Sequence, residues 1–111
     1  MSTIFHGYWN ETHPSSGAVL ATWTPAYGAT YELDVYAYNL IVADADNLGV
    51  YLNSTLLAQL PTPAVVNAVP SKITCYIIAA DVADVIAVKT IGASSLLSQY
   101  HGLAVGRLAI F

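Results

Sequence analysis

The stretch TYELDVYAYNLIVA, residues 30–43, is the longest strand-like run of the chain and decides its fold class. Its first half alternates between an apolar and a more polar face, as a half-buried strand does. After Tyr38 both faces turn apolar, so we expect cover on two sides there and a bulge or bend near Asn39. The apolar face of the first half holds Tyr31, Leu33, Val35 and Ala37, and the polar face holds Thr30, Glu32, Asp34 and Tyr36.

The composition predicts a single domain that buries apolar surface in an assembly. The chain has 111 residues, of which 56% are apolar and only 9% are charged, whereas about 25% of an ordinary soluble domain is charged. Monomers seldom expose large apolar patches. We therefore expect a homo-oligomer, or a chain that docks onto a larger body.

The charge balance argues against two classes of partner. The formal net charge is −4, and the three basic residues, Lys72, Lys89 and Arg107, lie far apart in the sequence. Nucleic acids and anionic membrane surfaces both need clustered basic side chains. No apolar run reaches the length of a membrane span, and the N-terminus lacks the pattern of a signal peptide. We expect a protein of the cytoplasm or of a particle assembled there.

The first sixteen residues are interpreted as an N-terminal arm that precedes a domain at residues 17–111. The segment is polar, yet it carries four large apolar side chains. Such an arm docks either on its own domain or on a neighbouring subunit, and both alternatives remain open. Together with the two-sided apolar part of the long strand it forms the predicted interface, which comprises Ile4, Phe5, Tyr8, Trp9, Leu40 and Val42.

Several shorter strands flank the long one. In residues 17–24 we expect Val19, Ala21 and Trp23 to share a core face. Acidic turns at residues 44–47 and 81–84 each separate two strand-like runs, which predicts two hairpins.

The chain closes with a predicted loop at residues 93–102 and a strand at residues 103–111. Gly106 inside that strand indicates a bulge or a close approach of the backbone. Arg107, the only arginine, is expected to pair with Glu32 or with Asp34 across neighbouring strands.

Short strands, turn clusters and the lack of a long amphipathic helix predict an all-β fold. About seven or eight strands in 111 residues favour a single antiparallel β-sandwich. A jelly roll and an immunoglobulin-like sandwich both fit this pattern, and we prefer the jelly roll.

No motif in the sequence identifies a reaction. Cys75 is alone and lies between Ile73 and Ile77 on one strand face, which is typical of a small buried hydrophobe. Glu32 and Asp34 stand two apart on one strand, whereas glycosidase carboxylates face each other across a cleft. We expect no enzyme and no cofactor.

Metal binding is not expected either. The three histidines, His6, His13 and His101, lack metal-ligand spacing. Asp44, Asp46 and Asn47 resemble half of a calcium loop, but the glutamate that completes such a loop is missing.

Tyrosine is abundant, with eight copies beside two tryptophans. Both residue types stack on sugars and anchor protein interfaces. Tyr36 lies on the polar face of the long strand and Tyr51 is out of phase with its apolar neighbours, so both are expected to be exposed. A sugar ligand would be expected to bind through Trp9 or Tyr51.

The apolar-rich N-terminal segment, the low charge, the last strand at the C-terminus and the Ala-Asp segment IIAADVADVIAV (residues 77–88) resemble small phage virion proteins. Jelly-roll capsid decoration (cement) proteins are the most similar kind. The resemblance implies a homotrimer that contacts the capsid protein and stabilises the shell of a virion assembled in the host cytoplasm. It assigns no functional residues. The alternative, from a different class, is a carbohydrate-binding module or lectin-like sandwich.

Overall fold

The computed structural model describes residues 3–12, 17–39, 47–61, 71–91 and 99–109, and these ranges contain eight β-strands. The described part of the chain holds no helix of the length and apolarity that crossing a membrane requires. In chain order the strands are β1 (Thr3–Thr12), β2 (Val19–Trp23), β3 (Ala29–Asn39), β4 (Asn47–Leu52), β5 (Thr55–Pro61), β6 (Ser71–Ala80), β7 (Ile86–Ile91) and β8 (Gln99–Leu108).

The strands form two four-stranded antiparallel sheets. Sheet A has the order β1-β8-β3-β6 and sheet B has the order β2-β7-β4-β5. The chain crosses between the sheets at every connection except the β4–β5 turn, and its first and last strands are neighbours in sheet A. This is the arrangement of a jelly roll. The predicted all-β, jelly-roll-like sandwich is therefore confirmed.

The core lies between the inner faces of the sheets and confirms the alternation predicted for β3. Tyr31, Leu33 and Val35 are at most 1% exposed. Cys75 packs beside them as predicted, and burial raises the pKa of its thiol. From sheet B and from β1 the core receives Leu48, Val50, Ile86, Val88 and Trp9.

The register of β3 differs from the expectation at one point. Its pairing with β8 runs without a break from Tyr31 to Asn39, and the irregularity in its pairing with β6 lies at the other end, between Ala29 and Tyr31. Pairing with β6 up to Ala37 and with β8 up to Asn39 holds the pleat of β3 in phase, so no slip is seen over these residues. Leu40 and Val42 lie outside the described residues, and the predicted cover over them stays a prediction.

Both predicted hairpins are wrong. β3 lies in sheet A and β4 in sheet B, and the same holds for β6 and β7. Acidic turn residues suit any tight connection and do not specify which strand the chain pairs with next. The observed hairpin is β4–β5, whose turn begins at Asn53 in a left-handed conformation (φ 56°).

The facing of Val19 in β2 and the start of β8 also differ from the expectation. Val19 is 53% exposed and does not share a face with Ala21, because a register shift between these two residues directs Leu20 and Ala21 to the core. β8 begins at Gln99, so the loop predicted for residues 93–102 is wrong from that residue onward. The close approach predicted at Gly106 is confirmed, since a Cβ there would lie 3.0 Å from Cζ3 of Trp23.

Residues predicted as an arm form the edge strand β1, which pairs with β8 along its length. Phe5 stacks on Trp23 at 5.2 Å between ring centroids, and Trp9 is 3% exposed. Tyr8 points outward and is 76% exposed. The side chain of Ile4 lies outside the described part. Phe5 and Trp9 therefore dock on their own domain, while exchange between subunits stays a prediction.

Candidate functional site

The outer face of sheet A carries a cluster of charged side chains at its centre. Arg107 on β8 donates hydrogen bonds from Nη1 (2.9 Å) and Nη2 (2.7 Å) to Oδ2 of Asp34 on β3. Its Nη1 also lies 3.4 Å from Oε1 of Glu32. The sequence left open whether Glu32 or Asp34 pairs with the arginine, and the structure brings it to both.

Strand register explains why these side chains meet. Glu32 lies opposite Arg107 in the β3–β8 pairing, and Asp34 lies opposite Thr74 in the β3–β6 pairing. The Thr74 hydroxyl donates to Oδ1 of Asp34 at 2.6 Å. Asp34 is only 4% exposed although it lies on an outer face. A buried carboxylate needs such partners, and they hold it in one orientation.

We call Glu32, Asp34, Thr74 and Arg107 the charge cluster. Beside it a second set of side chains, which we call the tyrosine row, runs across the four strands of sheet A. The ammonium group of Lys72 lies 5.4 Å from the ring centroid of Tyr36. Two strand spacings separate Tyr8 from Tyr36, which is about 10 Å. The register of the four strands aligns this tyrosine row as Tyr8, Leu103, Tyr36 and Lys72.

Other residues of interest flank the tyrosine row on the same face. The rings of His6 and Tyr8 lie 6.4 Å apart, and Tyr76, opposite Glu32, is 48% exposed. His101 lies one row away, opposite Tyr38. His13, Asp44 and Asp46 lie outside the described residues. Within the described ranges no three histidine, cysteine or carboxylate side chains are grouped as a metal site would require.

The outer face of sheet B is arranged differently. Side chains of Tyr51, Leu56 and Ile91 converge over Gly49, where an added Cβ would lie 2.6 Å from Cδ1 of Ile91 and 2.8 Å from Cδ1 of Leu56. The ammonium group of Lys89 lies 5.0 Å from the centroid of the Tyr51 ring. Tyr51 is therefore only partly exposed, with a neighbour over its ring.

Trp9 is not available to a ligand, so the expectation of sugar binding through Trp9 is wrong. Adjacent residues of a strand point to opposite faces, and β1 turns Tyr8 outward and Trp9 into the core. The buried Nε1 of Trp9 has no hydrogen-bond partner among the described residues. Sequence alternation in β1 was too weak to tell these two phases apart, because both contain large aromatic rings.

One end of the sandwich is fixed by hydrogen bonds between loops. Asn53 in the β4–β5 turn donates from Nδ2 to Oδ1 of Asp84 (3.0 Å) and accepts from the Val85 N–H (3.0 Å). The Asp81 N–H donates to the other oxygen of Asp84 at 2.8 Å. These bonds lower the pKa of Asp84. The sequence predicted a turn at residues 81–84 but not the role of Asn53, which depends on a distant loop.

Two depressions lie near the β2–β3 loop at this same end. Their volumes are about 370 Å³ and about 310 Å³. The larger is lined by Gly28, Ala29, Thr30, Ala80 and Asp81, and the smaller by Trp23, Thr24, Ala26, Tyr27 and Tyr31.

No protein-family model and no curated protein sequence matches this chain. Several solved structures have a similar fold. The C-terminal domain of EclA, described as a sugar-binding protein, has a TM-score of 0.64 at 13% identity, covering 95% of this chain and 79% of that one. The C-terminal CBM6 of LamC, a marine laminarinase from Zobellia galactanivorans, has a TM-score of 0.53 at 11% identity, covering 96% and 94%. At these identities the likeness concerns the β-sandwich fold.

Proposed function

We propose that this protein binds carbohydrate through the outer face of sheet A. The observation that carries the proposal is the alignment of Tyr8 and Tyr36 in one row beside a hydrogen-bonded charge cluster. A sugar ring has apolar C–H faces that pack on aromatic rings, and hydroxyl groups that need directional hydrogen bonds. The tyrosine row supplies the first kind of contact and the charge cluster the second.

The spacing of the tyrosines indicates the size of the ligand. Tyr8 and Tyr36 stand about 10 Å apart across two strand spacings, which is farther than one sugar ring extends. Tyr8 is 76% exposed on this face. A ligand that contacts both rings is therefore an oligosaccharide lying across the strands, rather than a monosaccharide enclosed in a pocket.

The charges of the face favour a neutral ligand. Arg107 and Lys72 carry two positive charges, and Glu32 and Asp34 carry two negative ones, so the local sum is zero. The guanidinium has five N–H donors, and 27% of the Arg107 side-chain surface is exposed. Asp34 holds the Arg107 guanidinium in place, and Thr74 holds the Asp34 carboxylate, before any ligand binds. Because these side chains are already ordered, binding loses less conformational entropy.

The names of the similar structures support a binding role. EclA is described as a sugar-binding protein, and the LamC domain is a CBM6 of a laminarinase. Nothing in either description bears on a phage shell. We therefore place carbohydrate binding ahead of the capsid decoration role, and the absence of catalytic activity stays a prediction.

A glycan array followed by calorimetric titration tests the proposal. We expect the wild-type protein to bind neutral oligosaccharides, and Tyr8→Ala or Tyr36→Ala each to weaken binding roughly three- to tenfold through lost stacking. The matched control is Tyr51→Ala on sheet B, which should bind like the wild type. Binding of no glycan, or loss of binding in the control alone, would refute the assignment.

Capsid decoration is kept as a second proposal because large apolar side chains are exposed, Ile78 at 73% among them. Jelly rolls occur in viral capsid domains and in lectins alike. The homotrimer, the contact with a capsid protein and the location in a virion all belong to this proposal. Native mass and co-sedimentation with empty phage shells test it, and a monomer that does not sediment with shells would count against it.

A further inference from the structure

β6 forms one edge of sheet A, and within the sheet of described residues it pairs with β3 alone. Over residues 71–77 this pairing runs without a register shift. Alternate residues of such a stretch direct their N–H and C=O groups away from the sheet, where a further strand can pair with them. A regular edge of this length is therefore a template for another chain.

The other edge strands of the two sheets are less suited to pairing. β2 has only five residues and contains a register shift, and β5 also contains a shift and ends at Pro61. Short length, bulges and proline are features that protect an edge from pairing. β1 is as long as β6 but contains Gly7, which weakens a strand. β6 is therefore the edge best suited to pair with a second protein molecule.

The outer face of β6 is complementary to itself about Thr74. Lys72, Thr74 and Tyr76 all point outward and are exposed, Tyr76 at 48%. If a second copy of β6 lies antiparallel with Thr74 opposite Thr74, then Lys72 of each copy lies opposite Tyr76 of the other. Threonine pairs and contacts between a cation and an aromatic ring are favourable across strands. The strand thus fits a copy of itself in this register.

The residues beside β6 on strand β3 favour the same register. Lys72 lies opposite Tyr36, with its ammonium group 5.4 Å from the ring centroid, and Tyr76 lies opposite Glu32, whose side chain is 25% exposed. In the paired copies Lys72 would lie between Tyr36 of its own chain and Tyr76 of the second copy. The carboxylate of Glu32 in the second copy would follow one strand further on. A parallel copy in register would instead place the two lysines side by side, which is unfavourable.

The inner face of β6 accepts this pairing as well. Cys75 is 6% exposed, and the partly buried Ile73 packs against the same core. About Thr74, Ile73 of each copy would lie opposite Cys75 of the other. The contact therefore joins apolar groups on the inner face and buries no charge there.

We propose that two copies of this protein pair their β6 strands in antiparallel register about Thr74 and form a dimer with one eight-stranded sheet. A two-fold axis through Thr74, perpendicular to the sheet, makes every contact occur twice and closes the assembly at two copies. The outer faces of the two A sheets then lie on the same side of the dimer. This interface goes beyond the proposed carbohydrate binding and does not depend on it.

Sedimentation equilibrium at micromolar concentrations tests the dimer. We expect the wild type to reach twice the chain mass of 11.8 kDa. Tyr76→Lys should weaken dimerisation roughly tenfold or more, because it sets two lysines against each other at both contacts. The double variant Lys72→Glu/Tyr76→Lys should restore the dimer, since each contact then joins a glutamate and a lysine. The matched control is Val19→Lys on the β2 edge, 53% exposed, which should dimerise like the wild type.

Disulfide crosslinking tests the register. In a Cys75→Ala background, Thr74→Cys should form a disulfide-linked dimer under oxidising conditions. Directly opposite Cα atoms of an antiparallel pair lie about 4.5 to 5.5 Å apart, which is within the range of a disulfide. The matched control is Lys72→Cys, whose two copies would lie about 13 Å apart along the strands and should not crosslink.

Three results would overturn the proposal. They are a monomer or a trimer at all concentrations, equal dimerisation of Tyr76→Lys and the wild type, and crosslinking of Lys72→Cys as readily as of Thr74→Cys. Melting of each variant is compared with the wild type to exclude unfolding. Thr74→Cys removes the hydroxyl that donates to Asp34, so the Tyr76 and Lys72 variants, which keep Thr74, test the interface without that change.

Discussion

The outer faces of the two sheets carry different side-chain arrangements, although each sheet consists of four antiparallel strands. On sheet A, Tyr8 stands 76% exposed beside a charge cluster whose members hold one another in place. On sheet B, Tyr51 and Leu56 fold over Gly49 and fill the space that a side chain would occupy there. Tyr36 on sheet A and Tyr51 on sheet B are alike, since each is partly exposed and has a lysine ammonium group over its ring. Sheet A presents in addition the exposed Tyr8 ring beside the charge cluster, whereas on sheet B Tyr51, Leu56 and Ile91 converge over Gly49. This difference is why the ligand face is assigned to sheet A.

The largest expected loss of stability comes from removing the Arg107 guanidinium on sheet A. Arg107→Met leaves the Asp34 carboxylate, 4% exposed, with Thr74 as its remaining partner in the cluster. Leaving one partner of a buried ion pair uncompensated costs about 3 kcal/mol. The matched change on sheet B, Lys89→Met, removes a contact with the Tyr51 ring and should cost less than about 1 kcal/mol. Urea unfolding measures both, and equal losses would show that the two faces are not built differently.

A smaller loss of stability is expected from adding a side chain at Gly49 on sheet B. Gly49→Ala places a methyl group against Ile91 and Leu56, which must move aside. The two nearest contacts are the ends of flexible side chains, and the third is Cε1 of the partly exposed Tyr51 at 3.0 Å. Because these groups can move aside, we expect a loss of about 1 kcal/mol, at the lower end for overpacking. Gly106→Ala should cost more, since its new Cβ meets the Trp23 ring, which Phe5 stacks against. The reverse order in urea unfolding would show that the side chains over Gly49 do not move aside readily.

The smallest effect concerns the loop end that links the two sheets. Hydrogen bonds from Asn53 and from the Asp81 N–H lower the pKa of Asp84 below its ordinary value of 3.8. A lowered pKa in the folded state means that the stabilisation is complete above the unfolded value and is lost as the pH falls through the folded value. The stability gap between the wild type and Asp84→Asn should therefore be present at pH 7 and close in acid below about pH 3.8.

Unfolding of both proteins at several pH values measures this gap. Asn53→Ala serves as a second variant, because it removes the main donor to Asp84 while keeping the carboxylate. Its gap to the wild type should shrink in acid as well. A gap that stays constant from pH 7 to pH 3 would mean that Asp84 is not held in its charged form by these bonds.

The fold class could be predicted from the sequence because the apolar residues of β3 alternate as in a half-buried strand. The alternation of Tyr31, Leu33 and Val35 depends on local chemistry alone, and all three are buried as expected. The hairpins could not be predicted correctly, because a turn at residues 81–84 does not record which sheet the next strand joins. That choice follows from long-range packing, which a single sequence does not display.

Only part of the candidate site could be predicted from the sequence. A lone arginine and two nearby carboxylates predicted a pair, and Arg107 contacts both Glu32 and Asp34. The tyrosine row was missed, because aligning Tyr8 with Tyr36 requires the register of β1, β8 and β3 together. Even so, Tyr36 was correctly placed on the polar face of its strand.

The most direct test of the central claim is to map a bound glycan on the protein by amide and tyrosine-ring chemical shifts. The ligand is the strongest neutral oligosaccharide found on the array. We expect the largest shifts at Tyr8, Tyr36 and Arg107 on the outer face of sheet A. Shifts centred on Tyr51 and Leu56 of sheet B, with the sheet A residues unmoved, would contradict the account.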